Sequence, residues 1–444
     1  MGLLTFKRGI HPDDCKKLTA ELPIKELKPG KTMCYPLNQH LGAPLSSLVS
    51  VGDEVLMGQK IADSEGFLTA PLHSSVSGKV VEIGMRMHHS GVKVPTIVIE
   101  NDGLDTPAEK INTKSLDELS PKEIVQIVHD AGIVGMGGAG FPTHVKLSPP
   151  ADKEIKYVIV NGAECEPYLT SDHRVMLEEP DDVLFGLTAV MKIFSLKEGF
   201  VAVEENKPDA ISALEEKAKN YDGCKVLTLK KKYPQGAEKQ LIYAVTKKEV
   251  PSGKLPADIG CIVLNIDTIT AIARAIKEGT PLYRRIVTVS GGAVNNPQNF
   301  KVRIGMCFDD LIEEAGGFKE EPAKIIYGGP MMGISGISTS VPVVKGTSAF
   351  LAFTKKEAKK EAESACLRCG RCVSVCPMGL MPAELSVMSL KGEIESVIRY
   401  NALDCIECGS CSFVCPAKRY LVQAIRVGKD RQRAHLAEMR AKKQ

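Results

Sequence analysis

The chemistry-bearing residues of this chain are concentrated near its carboxyl end, where eight of fourteen cysteines lie between Cys366 and Cys415. Cys366, Cys369, Cys372 and Cys376-Pro377 have the spacing C-x2-C-x2-C-x3-C-P, and Cys405, Cys408, Cys411 and Cys415-Pro416 repeat it thirty-nine residues later. Three thiolates in one tight loop suit three corners of a cubane 4Fe–4S cluster, while the fourth cysteine, beyond them, points to a second cluster. The spacing therefore predicts crossed ligand sets: Cys366, Cys369, Cys372 with Cys415, and Cys405, Cys408, Cys411 with Cys376. Zinc knuckles pair two C-x2-C units instead of running four cysteines to a proline. Disulfides are disfavoured, because Met1-Gly-Leu-Leu-Thr-Phe-Lys lacks the long apolar core of a secretory leader. Cys15, Cys34, Cys165, Cys224, Cys261 and Cys307 have no ligand spacing and read as small buried or half-buried thiols.

A second chemical signal is Gly135-Met-Gly-Gly-Ala-Gly-Phe-Pro-Thr-His-Val-Lys146. Its string satisfies G-x-G-x-x-G, but a dinucleotide fingerprint follows a strand and opens a helix. This loop instead follows an apolar-periodic helix from Pro121, N-capped by Ser120 and stopped at Gly132. Gly135, Gly137, Gly138 and Gly140 allow close backbone approach to a phosphate or flat ring, with Lys146 as a nearby cation. The strand from Ile155 then runs into Asn161-Gly-Ala-Glu164-Cys-Glu166-Pro, polar groups at a strand's carboxyl end, where open α/β sheets bind ligands. Tyr233-Pro-Gln-Gly-Ala-Glu238-Lys-Gln and Asn265-Ile-Asp-Thr268 stand at further strand ends.

Positioning these loops requires alternating strands and helices. We read helices over 180–194, 208–220 and 236–246, and strands over 199–203, 225–229 and 260–264, which gives a mostly parallel, doubly wound sheet. A length of 444 residues suits about three domains or more. The fold class is multidomain α/β. Residues 1–100 carry short β-branched runs between Gly, Pro and Ser, and 51–62 with 70–81 resemble the barrel-sandwich fold of lipoyl and biotinyl carriers. The turn His73-Ser-Ser-Val-Ser has no lysine to carry a prosthetic group, so the likeness is to a scaffold. Residues 284–318 look like a β-grasp module of the soluble-ligand-binding kind, and Tyr327–Gly336 is a Gly-rich connector expected against the doubly wound domain. A charged helix is expected over 355–363, two short helices between the cysteine runs over 383–401, and a basic helix in the tail. A net charge of +3 does not by itself imply a nucleic-acid partner, and no run of eighteen apolar residues occurs.

The loop 135–146 together with 161–167 is similar to the FMN-binding glycine loop and acidic motif of the flavin subunit of respiratory complex I. The segments 234–241 and 265–268 are similar to two further motifs of that protein, partially in the first case. The whole order, barrel-sandwich (1–110), Rossmann-like FMN/NADH-binding domain (120–283), β-grasp module and connector (284–354) and helical two-cluster ferredoxin-type domain (355–444), resembles the RnfC family, the C subunits of the Rnf membrane complexes.

The resemblance implies two 4Fe–4S clusters, non-covalent FMN and NAD(H) as substrate, in a translocase component that links ferredoxin and NAD to ion movement. Its partners would be integral-membrane flavoproteins and a ferredoxin-like subunit, with peripheral attachment at the cytoplasmic face of the cell membrane. It assigns Gly135, Gly137, Gly138, Gly140 and Lys146 to the FMN, Phe141 to the nicotinamide wall, and Asn161, Glu164, Glu166, Asn265 and Thr268 to flavin or ribitol. Glu238 would border the nucleotide, and Glu164, Glu238 and Phe141 would be the catalytic set. Glu164 or Glu166 as a helix cap and Phe141 as core remain open on the residues alone. Two other functions compete: a microcompartment cobalamin reductase, whose flavin domain precedes its barrel, and a non-catalytic electron wire.

Overall fold

The computed structural model describes residues 3–442. Between residues 32 and 101 the short β-branched runs form two small antiparallel sheets. One has the strand order Thr32–Pro36, Lys93–Asn101, Gly78–Met87, Glu54–Val55; the other joins Ser46–Ser47, Lys60–Asp63 and Leu72–His73. The first residues of the chain lie elsewhere. Leu4 bridges Leu229, Ile10 bridges Tyr233, and Lys25–Glu26 pairs in parallel with Gln298–Arg303, so the amino end runs across the later units before the barrel begins.

The helix expected after Ser120 spans Pro121–Asp130. The Ser120 hydroxyl accepts from Glu123 N–H, and the Glu123 carboxylate accepts from Ser120 N–H at 2.9 Å. Such a cap stabilises by about 1 kcal/mol. It holds the helix so that Ile124, Ile127 and Val128 are buried.

A four-stranded, all-parallel sheet follows, in the order Cys224–Leu229, Gly199–Glu204, Tyr157–Gly162, Cys261–Asn265. Its strands are apolar runs because helices cover both faces: Val158, Ile159, Val160, Val201, Ala202 and Val203 are wholly buried. The strand order reverses between Tyr157–Gly162 and Cys261–Asn265, which makes their carboxyl ends the switch point at which open sheets hold ligands. Asn161 and Asn265 are register partners there.

The β-grasp region is part of a six-stranded mixed sheet that also takes in Lys324–Tyr327, Ile334–Gly336 and Ala349–Phe353. Arg285, on the strand Arg284–Ser290, pairs with Asp267 and donates to the carbonyls of Thr347 (2.8 Å) and Met136 (3.4 Å). Both charged side chains are almost fully buried, at 2% and 4% exposure. Removing one partner of such a pair costs about 3–5 kcal/mol through the charge left behind. The pair therefore fixes the glycine loop's register against the β-grasp sheet.

Residues 355–363 are not helical. Lys355-Lys-Glu-Ala-Lys-Lys-Glu-Ala-Glu has no apolar stripe to bury, and a single turn without packing does not repay its nucleation. The Glu357 carboxylate instead accepts from the N–H groups of Thr354 and Gly292. The cluster region is helical as expected, with Pro382–Lys391 and Ile394–Arg399 packed on the long helix Leu421–Ala441. In each cysteine run a glycine in the left-handed region, Gly370 at φ +73° and Gly409 at φ +81°, turns the loop into a short helix, Arg371–Val375 or Ser410–Phe413. Among the described residues no helix is long and apolar enough to cross a membrane.

Candidate functional site

The glycine loop is a closed turn. Gly135 N–H donates to Phe141 O at 2.8 Å, Val134 bridges Pro142, and Gly140, at φ +66°, presents its carbonyl to Leu41 N–H of the barrel at 3.0 Å. A Cβ on Gly137 would lie 3.0 Å from the Asn265 amide, whereas one on Gly138 would meet nothing within 4 Å. The loop is thus tight on its inner side and open above Gly138. Thr268, wholly buried, accepts from Met136 N–H at 3.0 Å, so its hydroxyl holds the loop's backbone. Asn265 caps the helix Ile266–Lys277 by accepting from Asp267 N–H, and its amide donates to Asp172 at 2.6 Å.

Asn161, across from Asn265, donates to Gly236 O at 2.7 Å and accepts from Ala163 N–H. Lys146 forms an ion pair with Glu238 at 2.7 Å and donates to Val263 O. Two residues chosen from separate loops, cation and carboxylate, are therefore neighbours at the rim. Phe141 is half-buried at the end of the loop.

Glu164 is spent on the scaffold. It accepts from Asp172 N–H at 2.7 Å and His173 N–H at 3.3 Å, capping the helix Ser171–Glu178, and lies 3.7 Å from Lys16. This is the capping role that the sequence left open for it. Glu166 faces the Gly-rich connector, accepting from Met331 N–H at 3.0 Å, and lies 3.4 Å from the Tyr233 hydroxyl.

Three residues at the site had no role read from the sequence, although Thr143 and Tyr233 lie within loops that it picks out. Asp172 is one; burial, reinforced by the Glu164 and Asp267 carboxylates, pushes its carboxyl up to about 8. Burial likewise pushes Glu166 up to about 7. Thr143, immediately after Phe141-Pro142, has a buried hydroxyl with no hydrogen-bond partner among the described residues. Tyr233 is 1% exposed, and its OH donates to Cys408 O at 2.7 Å. Only the fold brings Asp172 to the glycine loop's partner Asn265 and Tyr233 to the cysteines.

The raised carboxyls set a pH dependence. An unfolded chain releases these protons near pH 4 while the folded chain keeps them until about 7 to 8. The contribution to stability is complete below the unfolded value and declines as pH rises through that window. We expect the melting temperature to fall between pH 5 and 8, with Asp172→Asn removing up to about 1 kcal/mol per pH unit of slope. Thermal melts across that range check this; an unchanged slope in Asp172→Asn refutes it.

The fold gathers four of the eight cysteines around one pocket and sets two more beside it. Cys405, Cys408, Cys411 and Cys376 line one pocket with Pro377, Leu380, Val422 and Ile425. Among the described residues no three His, Cys, Asp or Glu side chains converge as a single ion requires; these four thiols stand around a volume. Cys372 and Cys415 pack together against Leu421 and Val422, and Cys366 and Cys369 are exposed on an irregular stretch. The thiol-lined cavity fits a polynuclear iron–sulfur group. The open face over Gly138, the unpartnered Thr143 hydroxyl and the Lys146 cation fit a flat phosphorylated cofactor.

Known families match each unit in turn. Models for the RnfC barrel sandwich hybrid domain (residues 4–104), the Nuo51 FMN-binding domain (128–274), the SLBB domain (286–335) and the 4Fe-4S dicluster domain (365–420) all match. The C subunit of the proton-translocating ferredoxin:NAD(+) oxidoreductase complex of Clostridium ljungdahlii is 51% identical over 97% of this chain and 95% of its own length. The Na(+)-translocating counterpart of Acetobacterium woodii is 49% identical over 96% of each chain. The C subunit of the ion-translocating oxidoreductase complex of Rhodobacter capsulatus is 42% identical over 96% of this chain and 82% of its own. With end-to-end similarity to these proteins, the chain belongs to the family of C subunits of ion-translocating ferredoxin:NAD(+) oxidoreductase complexes.

Proposed function

We propose that this chain exchanges hydride with NAD(H) at a flavin held over the glycine loop and relays the electrons singly through two 4Fe–4S clusters. It does so as a peripheral electron-transfer subunit of a ferredoxin:NAD oxidoreductase complex. The observation that carries this reading is the switch-point pair Asn161 and Asn265, beneath an open glycine loop, in the same chain as a four-cysteine cavity. Bound FMN supplies the conversion between a two-electron hydride and one-electron carriers.

The chain's residues divide the rest of the work. Gly135, Gly137, Gly138 and Gly140 let the cofactor approach the backbone, and the Lys146 ammonium and Thr143 hydroxyl offer donors to its phosphate. Phe141 walls the nicotinamide side, and Glu238, by pairing with Lys146, keeps that cation at the rim. Asn161 and Asn265 fix the two loops that flank the cofactor. Glu164 and Thr268 act one step back, holding the helix Ser171–Glu178 and the loop backbone, and Glu166 acts toward the clusters. Asp172, protonated near neutrality and bonded to Asn265, can donate a hydrogen bond beside Gly137.

Cys405, Cys408, Cys411 and Cys376 would hold one cluster, and Cys366, Cys369, Cys372 and Cys415 the other. We place the protein at the cytoplasmic face of the cell membrane, attached through integral-membrane flavoprotein and ferredoxin-like subunits. Anaerobically reconstituted protein is expected to carry about eight irons and to lose its flavin absorbance on adding NADH. Full iron with a flavin that NADH leaves oxidised would reduce the chain to a conductor.

A further inference from the structure

Among the described residues, the hydrogen bonds from the flavin-side units to the cysteine loops reach Cys408, Cys376 and the residues beside Cys376. Tyr233 OH donates to Cys408 O at 2.7 Å. Arg8 donates to Cys376 O at 3.4 Å, and Gly9 N–H to Val375 O at 3.0 Å. Gln240 reaches Pro377 O at 3.5 Å and Met378 sulfur at 3.2 Å, and a Cβ on Gly409 would lie 3.0 Å from Met331 O. Ile10, Tyr233 and Cys408 form one buried apolar cluster with Cys165 and Met331 packed against it. The opposite set is turned outward, with Cys366 and Cys369 exposed.

Tyr233 stands at the centre of this junction. The segment it begins is clamped at Gly236 by Asn161 and by the Cys165 sulfur, which accepts from Gly236 N–H at 3.3 Å. It ends at Glu238, paired with Lys146 on the rim of the glycine loop. Six residues, Tyr233 to Glu238, thus connect the cofactor loop to a cysteine ligand's own carbonyl. On its other side the Tyr233 hydroxyl lies 3.4 Å from Glu166, whose second oxygen is held by Met331 N–H.

We infer that the cluster held by Cys405, Cys408, Cys411 and Cys376 is the one that exchanges electrons with the flavin site, and that Tyr233 is the positioning residue that couples them. This rests on the functional reading above and deepens it. Each hydride brings two electrons; they leave singly, each lowering one cluster from its 2+ to its 1+ charge, and the proton stays on the flavin side. The inner cluster receives each electron and passes it to the outer one. The Tyr233 O–H dipole points its positive end at the Cys408 carbonyl, which favours the more negative, reduced form of that cluster. Losing it lowers that cluster's potential and slows its reduction.

The test uses the reconstituted full chain. Cys408→Ser first identifies which EPR signal belongs to the inner cluster. In Tyr233→Phe that signal is expected to titrate at lower potential while the other stays in place. In stopped flow its cluster-reduction phase slows about fivefold, the worth of one hydrogen bond, relative to flavin bleaching. In the unaltered protein, freeze-quenched after mixing with NADH, the same signal appears first, a measurement that does not depend on the variant folding. If the other signal appears first, or if Tyr233→Phe moves neither or the wrong one, the inference fails. Flavin that never bleaches with NADH would instead overturn the functional reading beneath it.

Discussion

Valine at position 138 is expected to leave a folded, cluster-bearing protein that has lost its FMN. A Cβ on Gly138 meets nothing within 4 Å, so the isopropyl group projects into the open space above the loop. There it displaces a flat ring without pressing on the chain. The closing bonds of the loop, Gly135 N–H to Phe141 O and Met136 N–H to Thr268, are untouched. FMN content is expected to fall at least about tenfold, a loss of about 1.4 kcal/mol or more in binding, while iron content and the melting temperature of the cofactor-free chain change little. Gly137→Val is the contrast: its side chain strikes Asn265 at 3.0 Å and perturbs the loop itself. A Gly138→Val protein that keeps its yellow colour would remove the flavin from this loop.

The second large effect concerns ligand crossing. Cys376→Ser is expected to abolish the cluster whose other three ligands are Cys405, Cys408 and Cys411, although Cys376 belongs in sequence to the first run. About four of about eight irons go with it. The remaining EPR signal should match that of Cys408→Ser and differ from that of Cys369→Ser. The cavity shared by Cys376 with the second run is the reason. If Cys376→Ser instead pairs spectroscopically with Cys369→Ser, each run holds its own cluster.

Much of this organisation was legible because it rests on local rules. The doubled cysteine spacing, the Ser120 cap and the alternation of strands and helices each depend on residues near one another in sequence. The parallel sheet could be read from β-branched runs, and most of its elements begin or end within two residues of their expected places. The charged stretch 355–363 misled because helix-forming residues without an apolar stripe have nothing to pack.

What stayed hidden was partnership across the chain. Glu164 lies in a motif that reads as cofactor-binding, yet the helix start it caps lies seven residues on. Asp172 becomes unusual only once Glu164, Asp267 and Asn265 surround it. Tyr233 and Cys408 are 175 positions apart. Side chains whose meaning comes from such distant neighbours carry no periodicity or spacing to find.

The placement of Leu4 against Leu229, Ile10 against Tyr233 and Gly9 against Val375 bears on how the molecule is made. A ribosome delivers residues 4–10 long before the segments that receive them, so they must wait, unseated, while the intervening chain emerges. Gly9 can reach the Val375 carbonyl only once the first cysteine run has been made, so residues 4–10 are seated after the units they join.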